Sequence, residues 1–363
     1  MQNIIKDKIK GRGSQFNLPN RFEKIYIDHT SKHSEEYSEY SEYFEEDGKV
    51  ETVFFNDNSK SILSKNESPD LGLGYSINPY RGCEHGCIYC YARPTHEYLG
   101  FSSGLDFETK IMVKRDAPGL LEEAFNKKSW IPQSIFFSGN TDCYQPVERK
   151  LEITRKCLEV FLKFRNPVSI ITKNALIKRD VDILKELAKL NLVRVVISIT
   201  TLKKELQQKM EPRTSTPERR LEAIEFLNEN GIITSVNVAP IIPGLTDEEI
   251  PAILKAASER GAVSAGRVVL RLPHSIKDLF SDWVKREFPD RANKILNRIS
   301  EIHGGKLYDS TFGKRMTGEG EWADTIQKIF NTNCNKYNLN KQKNPLSTNL
   351  FRRINSEQIE LFE

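Results

Sequence analysis

The sequence predicts an α/β fold, a partial (βα)6 barrel of the TIM type with an N-terminal extension and a C-terminal helical region. Three observations lead there. From about residue 71, short β-branched or apolar runs alternate with helical patterns. The runs are nearly continuous in apolar residues, as parallel strands covered by helices on both faces must be. Six such units occupy about 200 residues, short of the eight that close a full barrel.

The elements follow in order. Residues 1–34 form a basic, polar extension with no sustained period. Residues 35–70 form an acidic, low-complexity stretch and linker, beginning EEYSEYSEYFEED (35–47), for which a solvated chain is expected. LGYSIN (73–78) reads as the first barrel strand. SIFFSG (134–139), VSIITK (168–173), VRVVISIT (193–200), ITSVNVAP (233–240) and GRVVLRL (266–272) read as the other five. Helices are expected over 117–127, 148–165, 180–190, 217–230 and 247–260. In the second of these, Ile153, Cys157, Leu158, Phe161 and Leu162 share one face. The barrel is thus placed over 71–273, a helical region over 274–334, and a polar, irregular tail over 335–363. Ligands are expected at the C-terminal strand ends, where loops carry function.

A hydrophobic fraction of 38% and a charged fraction of 29% describe a soluble globular protein. No run of about 18 uncharged apolar residues occurs, so no membrane span is expected. MQNIIKDKIKGRG at the N-terminus lacks the apolar core of a secretory signal. Six cysteines in 363 residues, three of them bunched, do not resemble a disulfide framework, which points to a reducing cytoplasm. The net charge is +4; setting aside the seven acidic side chains of 35–47 leaves the remainder at +11. That balance suits a polyanionic partner, although basic residues also simply solvate helix faces.

The stretch NPYRGCEHGCIYCYAR (78–93) places Cys83, Cys87 and Cys90 within eight positions. Three thiolates on a loop after a strand bind soft metal. A structural zinc site wants four ligands, usually in two separated pairs, and Cys143, Cys157 and Cys334 lie far away in sequence. Iron–sulfur clusters are also held by thiolates, normally four. A four-iron cube on three cysteines leaves one iron open for something else to bind and react. A zinc knuckle and an unrelated iron–sulfur loop are the competing readings.

CEHGCIYC resembles the CxxxCxΦC signature of the radical S-adenosylmethionine (SAM) superfamily, with Tyr89 at the aromatic position. The resemblance implies a 4Fe-4S cluster on the three cysteines, with SAM chelating the fourth iron. It further implies reductive cleavage of SAM to a 5′-deoxyadenosyl radical that abstracts hydrogen from substrate. KGRGSQFNLPNRFEK (10–24), the region 68–100, SGNTDCYQPVE (138–148) and APIIPGLTDEE (239–249) resemble the bacterial subgroup related to the DNA-repair enzyme spore photoproduct lyase.

By that resemblance, Ser138, Gly139, Asn140 and Thr141 meet the SAM amino group. Lys173 pairs with its carboxylate, with Arg213 as an alternative fork; the competing reading makes Arg213 a helix-flanking surface charge with Glu211 as its ion-pair partner. Ser198 and Thr200 reach the ribose, and Val238 to Pro240, including Ala239, form a ledge beneath adenine. His85, inside the cysteine loop, is expected to face solvent or substrate rather than the cluster. Asp142, Tyr144, Gln145 and Glu148 form a candidate substrate-side constellation. Cys143 among them is a candidate hydrogen-atom partner or a buried small hydrophobe; Cys143, Asp142 and Tyr144 are the candidate catalytic residues.

The implied partners are an electron donor of flavodoxin or ferredoxin type and DNA. Gln358, Leu361 and Phe362 in QIELF resemble a sliding-clamp peptide, in which a Leu–Phe pair fills an apolar pocket. The expected function is that of a radical SAM enzyme acting on nucleic acid, in the manner of a DNA-repair lyase. Radical modification of a peptide, protein or small molecule is the alternative within enzymes. A non-catalytic nucleic-acid-binding protein with a structural metal loop is the alternative outside them.

Overall fold

The computed structural model describes residues 9–22, 50–70, 72, 74–340 and 345–354. The acidic stretch 35–47 and the Gln358, Leu361, Phe362 peptide lie outside the described residues.

Among the described residues ten strands form two sheets: β1 (Val53–Asn56), β2 (Leu63–Lys65), β3 (Tyr75–Ile77), β4 (Tyr80–Arg81), β5 (Lys110–Val113), β6 (Ile135–Phe137), β7 (Val168–Thr172), β8 (Val193–Ser198), β9 (Thr234–Ile241) and β10 (Ser264–Val269). The main sheet runs β10-β9-β8-β7-β6-β3-β2, all parallel except β2, which is antiparallel to β3. β3 and β6 to β10 are the six barrel strands read from the sequence. The short sheet β1-β5-β4 was not anticipated. It frames the segment that enters the cysteine loop.

The helices are α1 (Asp106–Thr109), α2 (Ala117–Asn126), α3 (Glu148–Leu151), α4 (Ile153–Phe164), α5 (Val181–Lys189), α6 (Lys204–Met210), α7 (Pro217–Glu229), α8 (Ile250–Glu259), α9 (Ile276–Glu287), α10 (Ala292–Glu301) and α11 (Glu321–Lys336). The single helix expected over 148–165 is broken at Glu152, whose φ of 53° is left-handed. The break lets the Thr154 N–H donate to the Glu148 carboxylate at 3.1 Å. Thr216 caps α7 by accepting from the Arg219 N–H, and Pro217 follows at the first helical position, where no amide partner is lost. On α4, Ile153, Cys157, Leu158, Phe161 and Phe164 are buried against the sheet, with only Leu162 of the expected face part-exposed.

The barrel is incomplete, and its seam between β10 and β2 is bridged by the segment after α10. The Val269 N–H donates to the Met316 carbonyl at 2.8 Å. Arg315 forks onto Asp70, between β2 and β3, at 2.7 and 2.5 Å. Residues 345–354 of the tail form no helix or strand and are docked. Arg352 N donates to the Phe164 carbonyl at 3.0 Å, and the Phe351 ring packs 6.1 Å from Phe125. Trp130 and Trp283 are core residues, and Trp322 is half-buried against the main core.

His96 is fully buried between Phe101 and Phe107, at ring distances of 5.4 and 5.5 Å. Burial lowers its pKa to about 4 from the ordinary value of 6.5. Between those values the unfolded chain binds a proton that the native chain refuses, so stability falls as the pH drops through this window. Tm measured from pH 7 to pH 4 is expected to decline across it, and a His96→Gln variant is expected to decline less steeply. Parallel profiles would remove His96 as a source of acid lability.

Candidate active site

The cysteine loop leaves β4 and is fixed from two sides. Cys83 N donates to the Phe107 carbonyl at 2.9 Å, Cys90 N to the Cys87 carbonyl at 3.2 Å, and Ile88 N to the Met210 carbonyl at 3.0 Å. Gly86 turns with φ 67°, and a Cβ there would lie 2.8 Å from Glu108 Oε2. Glu108, buried, accepts from the Gly13 and Ser14 N–H groups at 3.0 and 2.8 Å and ion-pairs with buried Arg93. Arg93 in turn donates to the Cys87 carbonyl at 2.9 Å. Arg12 donates to the Glu108 carbonyl at 2.7 Å. Residues 9–22 of the supposedly aperiodic extension are therefore built into the wall behind the loop.

On the other side, Gln145 accepts from the Glu84 N–H at 2.9 Å and donates to the Gly82 carbonyl at 3.3 Å. Glu84 accepts from the Val147 N–H at 2.7 Å. Glu148 accepts from the Tyr80 hydroxyl and pairs with Arg179.

Cys83, Cys87 and Cys90 line one cavity, and none is in a disulfide. Burial pushes all three thiols up, so each stays protonated until a soft cation takes the proton's place. Backbone hydrogen bonds from His85 and Asp142 at Cys83, and from Ala92 and Arg93 at Cys90, favour the thiolate form. Among the described residues no three His, Cys, Asp or Glu side chains converge on a point for a single ion. Three thiols lining one cavity, with N–H groups at two of the sulfurs, fit an iron–sulfur cluster.

The strand ends supply the rest of the cavity. Asp142 accepts from Thr172 Oγ1 at 2.7 Å, from Lys173 N at 2.8 Å and from Tyr144 N at 2.9 Å, and faces His85 Nδ1 at 3.4 Å. The Lys173 ammonium donates to the Ala239 carbonyl at 3.3 Å and lies 5.8 Å from the Tyr89 ring; burial lowers its pKa. Tyr89 donates to Glu211, which is fully buried and pairs with Arg220. Burial raises the Glu211 pKa, with Arg220 opposing.

The cavity brings together Tyr89, Ser138, Asn140, Thr141, Asp142, Lys173, Ser198 and Ala239 with the three cysteines. Gly139 is behind this wall, where its carbonyl accepts from the Tyr91 hydroxyl at 2.7 Å. Thr200 does not line the cavity: its hydroxyl is committed to Glu211 at 2.7 Å and the Ala239 carbonyl at 2.9 Å. Arg213 is also elsewhere, paired with Glu84 at 3.2 Å, so the partner expected for it, Glu211, belongs to Arg220 instead.

Cys143 and Tyr144 are fully buried in the core and outside the cavity. Cys143 N donates to Ser138 Oγ at 2.8 Å, and the Tyr144 hydroxyl donates to Asp180 at 3.1 Å. Gln145 and Glu148 brace the cysteine loop rather than face a substrate. Of the substrate-side constellation only Asp142 reaches the cavity. His85 does not face solvent but lines the cavity, the other side of its expectation; it is buried, contacts Asn174 at 3.2 Å, and burial lowers its pKa to about 4.

Sequence reasoning missed Tyr91, Asn237, Arg271 and Met316, which also line the cavity. The Arg271 guanidinium lies 5.0 Å from the Tyr91 ring, and its Nε is buried without a hydrogen-bond partner. Tyr91 follows Cys90 directly, and Arg271 lies in the last strand run, so both positions were visible without being weighed.

Residues 77–257 match the family model described as Radical SAM superfamily. An uncharacterised protein of Mycobacterium tuberculosis is 34% identical over 247 residues, covering 67% of this chain and 72% of its own. A protein named radical SAM Nα-GlyT isomerase, from Pseudomonas phage M6, is 23% identical over 262 residues, covering 69% and 51%. Spore photoproduct lyase complexed with dinucleoside spore photoproduct has a TM-score of 0.56 at 16% identity, covering 78% of this chain and 79% of that one. A variant of the lyase with bound AdoMet and dinucleoside spore photoproduct also has a TM-score of 0.56, at 15% identity and 79% of each chain. At these identities the likeness to the lyase is one of fold.

Proposed function

The chain belongs to the radical SAM superfamily, an enzyme family whose cofactors are a 4Fe-4S cluster and SAM and which draws on an external electron donor. From that premise we propose that it abstracts hydrogen from a nucleic-acid substrate. The cofactors supply one-electron cleavage of a sulfonium, yielding a carbon radical strong enough to take hydrogen from an unactivated carbon.

In this reading Cys83, Cys87 and Cys90 hold the cluster. Lys173, a buried cation at the end of β7, receives the SAM carboxylate. Asp142 fixes Lys173 and the cysteine loop relative to each other, because its Oδ2 both takes the Lys173 N–H and faces His85 Nδ1. His85 stays neutral at pH 7, so it adds no charge beside Asp142. Asn140, Thr141 and Ser198 present polar groups to the bound ligand, and Ala239 and Pro240 its apolar floor. The apolar strand residues Phe136, Ile171 and Val268 deepen the cavity and keep water from the reacting centre.

One observation carries the substrate class: Arg271, whose Nε has no partner, lies 5.0 Å from the Tyr91 ring centroid in the cavity lining. Lys173 answers the single carboxylate of SAM, which leaves a second cation, the Arg271 guanidinium, for an anion on the substrate. A guanidinium over an aromatic ring suits a phosphate beside a base. The nucleic-acid names among similar proteins agree with this. No helix among the described residues is long and apolar enough to cross a membrane.

The test is anaerobic turnover of reconstituted enzyme with single-stranded DNA, UV-irradiated DNA, RNA and a control peptide. Substrate-dependent product and salt-sensitive binding are expected with nucleic acid. An Arg271→Gln variant is expected to raise KM on the order of tenfold, the loss of one charge-assisted contact. Turnover with the peptide alone would replace the nucleic-acid reading.

A further inference from the structure

We propose that Arg21, Phe22 and Tyr98 form a stacking platform on which single-stranded nucleic acid lies as it leaves the cavity mouth. This rests on the nucleic-acid reading above and adds the path of the strand. Phe22 and Tyr98 are 52% and 71% exposed, against 44% for Tyr91 at the mouth. Their rings are 4.9 Å apart, tilted at 34°.

The Arg21 guanidinium lies 4.7 Å from the Phe22 ring and 5.6 Å from the Tyr98 ring. It is anchored beneath by an ion pair with buried Glu97. Asn20 locks the same turn, accepting from the Phe22 N–H at 2.9 Å and donating to the Glu97 carbonyl at 2.9 Å. Two exposed rings and their cation are thus held in place before any ligand arrives.

Residues 271–275 join this platform to the mouth. Arg271 lies over Tyr91 at one end, and Ser275 donates to Glu97 at 2.9 Å at the other. Four residue steps span at most about 14 Å, the reach of a few nucleotides. The same pairing of exposed ring and guanidinium therefore occurs twice along one short path. Bases stack on rings without regard to sequence, and an arginine against the ring adds cation–π attraction and a phosphate contact.

The test uses reconstituted holoenzyme with SAM and a fluorescein-labelled oligothymidine, read by anisotropy over a salt series. A Phe22→Ala, Tyr98→Ala double variant is expected to weaken Kd on the order of tenfold or more. Tyr98→Phe is expected to bind as the wild type does. Phe22→Leu, Tyr98→Leu, which keeps apolar bulk without rings, is expected to weaken binding like the alanine pair. Retention of the cluster's visible absorbance shows that each variant is folded. Unchanged binding by the alanine pair, or full binding by the leucine pair, overturns the platform and leaves the nucleic-acid reading standing. A wild type that fails to bind the oligonucleotide at low salt sinks both.

Discussion

Alanine at Cys83, Cys87 or Cys90, each changed alone, is expected to remove the iron content and brown colour of the reconstituted protein together with all SAM cleavage under strong reductant. Alanine at Cys143 is expected to leave both in place. The contrast follows from position. The three loop thiols share a cavity wall, and each is held up by burial, so none ionises without a metal to replace its proton. A cluster held by three protein ligands has no spare: loss of one exposes a second iron and the cube falls apart. Cys143 is fully buried behind Ser138, where its amide donates to the serine hydroxyl and its carbonyl accepts from Thr154 at 2.6 Å. Its thiol is a small core hydrophobe, so truncation costs about 1 kcal/mol of stability and no iron. Iron retained by any single loop variant, or iron lost on changing Cys143, would reverse the ligand assignment.

The barrel was legible because its signal is local. β7, β8 and β9 are runs of β-branched residues, and the helices between them bury a periodic face, so the chain need only be compared with itself a few positions away. The cysteine trio was legible for the same reason. What the sequence hid depends on which way a side chain turns at a strand end. Cys143 and Asp142 are neighbours, yet Asp142 reaches the cavity while Cys143 is in the core. Thr200 and Ser198 are two apart and were expected to act together. Only Ser198 opens to the cavity, because Thr200 is drawn to Glu211, an interaction set by the buried Glu211–Arg220 pair. Arg213 was misassigned because its partner, Glu84, comes from the cysteine loop about 130 positions away in the chain. The N-terminal segment was the largest omission. Gly13 and Ser14 carry no hydrophobic period, and their role is backbone donation to one distant carboxylate.

That carboxylate sets the second large effect. A Glu108→Ala variant, with every cysteine intact, is expected to lose most of its capacity to hold the cluster. Glu108 is fully buried and does three things at once: it accepts the Gly13 and Ser14 amides, ion-pairs with Arg93, and approaches Gly86 within the cysteine loop. Removing it strands the fully buried Arg93 guanidinium, and breaking a buried pair costs about 3–5 kcal/mol. Arg93 also holds the Cys87 carbonyl, so the strain passes directly to the loop. Gly13→Ala attacks the same contact without touching a charge. Its Cβ would stand 1.8 Å from the Gly86 carbonyl oxygen, a backbone atom that can retreat only by moving the loop. Both variants are expected to lower Tm and to bleach faster in air than the wild type, as measured by the decay of cluster absorbance. A Ser14→Ala variant, which keeps the backbone donor to Glu108 and loses only a hydroxyl, is expected to resemble the wild type in both. Wild-type bleaching rates in Glu108→Ala and Gly13→Ala would mean that the cysteine loop holds its shape without the N-terminal segment. The segment would then be a surface covering, and its packing against Gly86 would have no part in protecting the cluster.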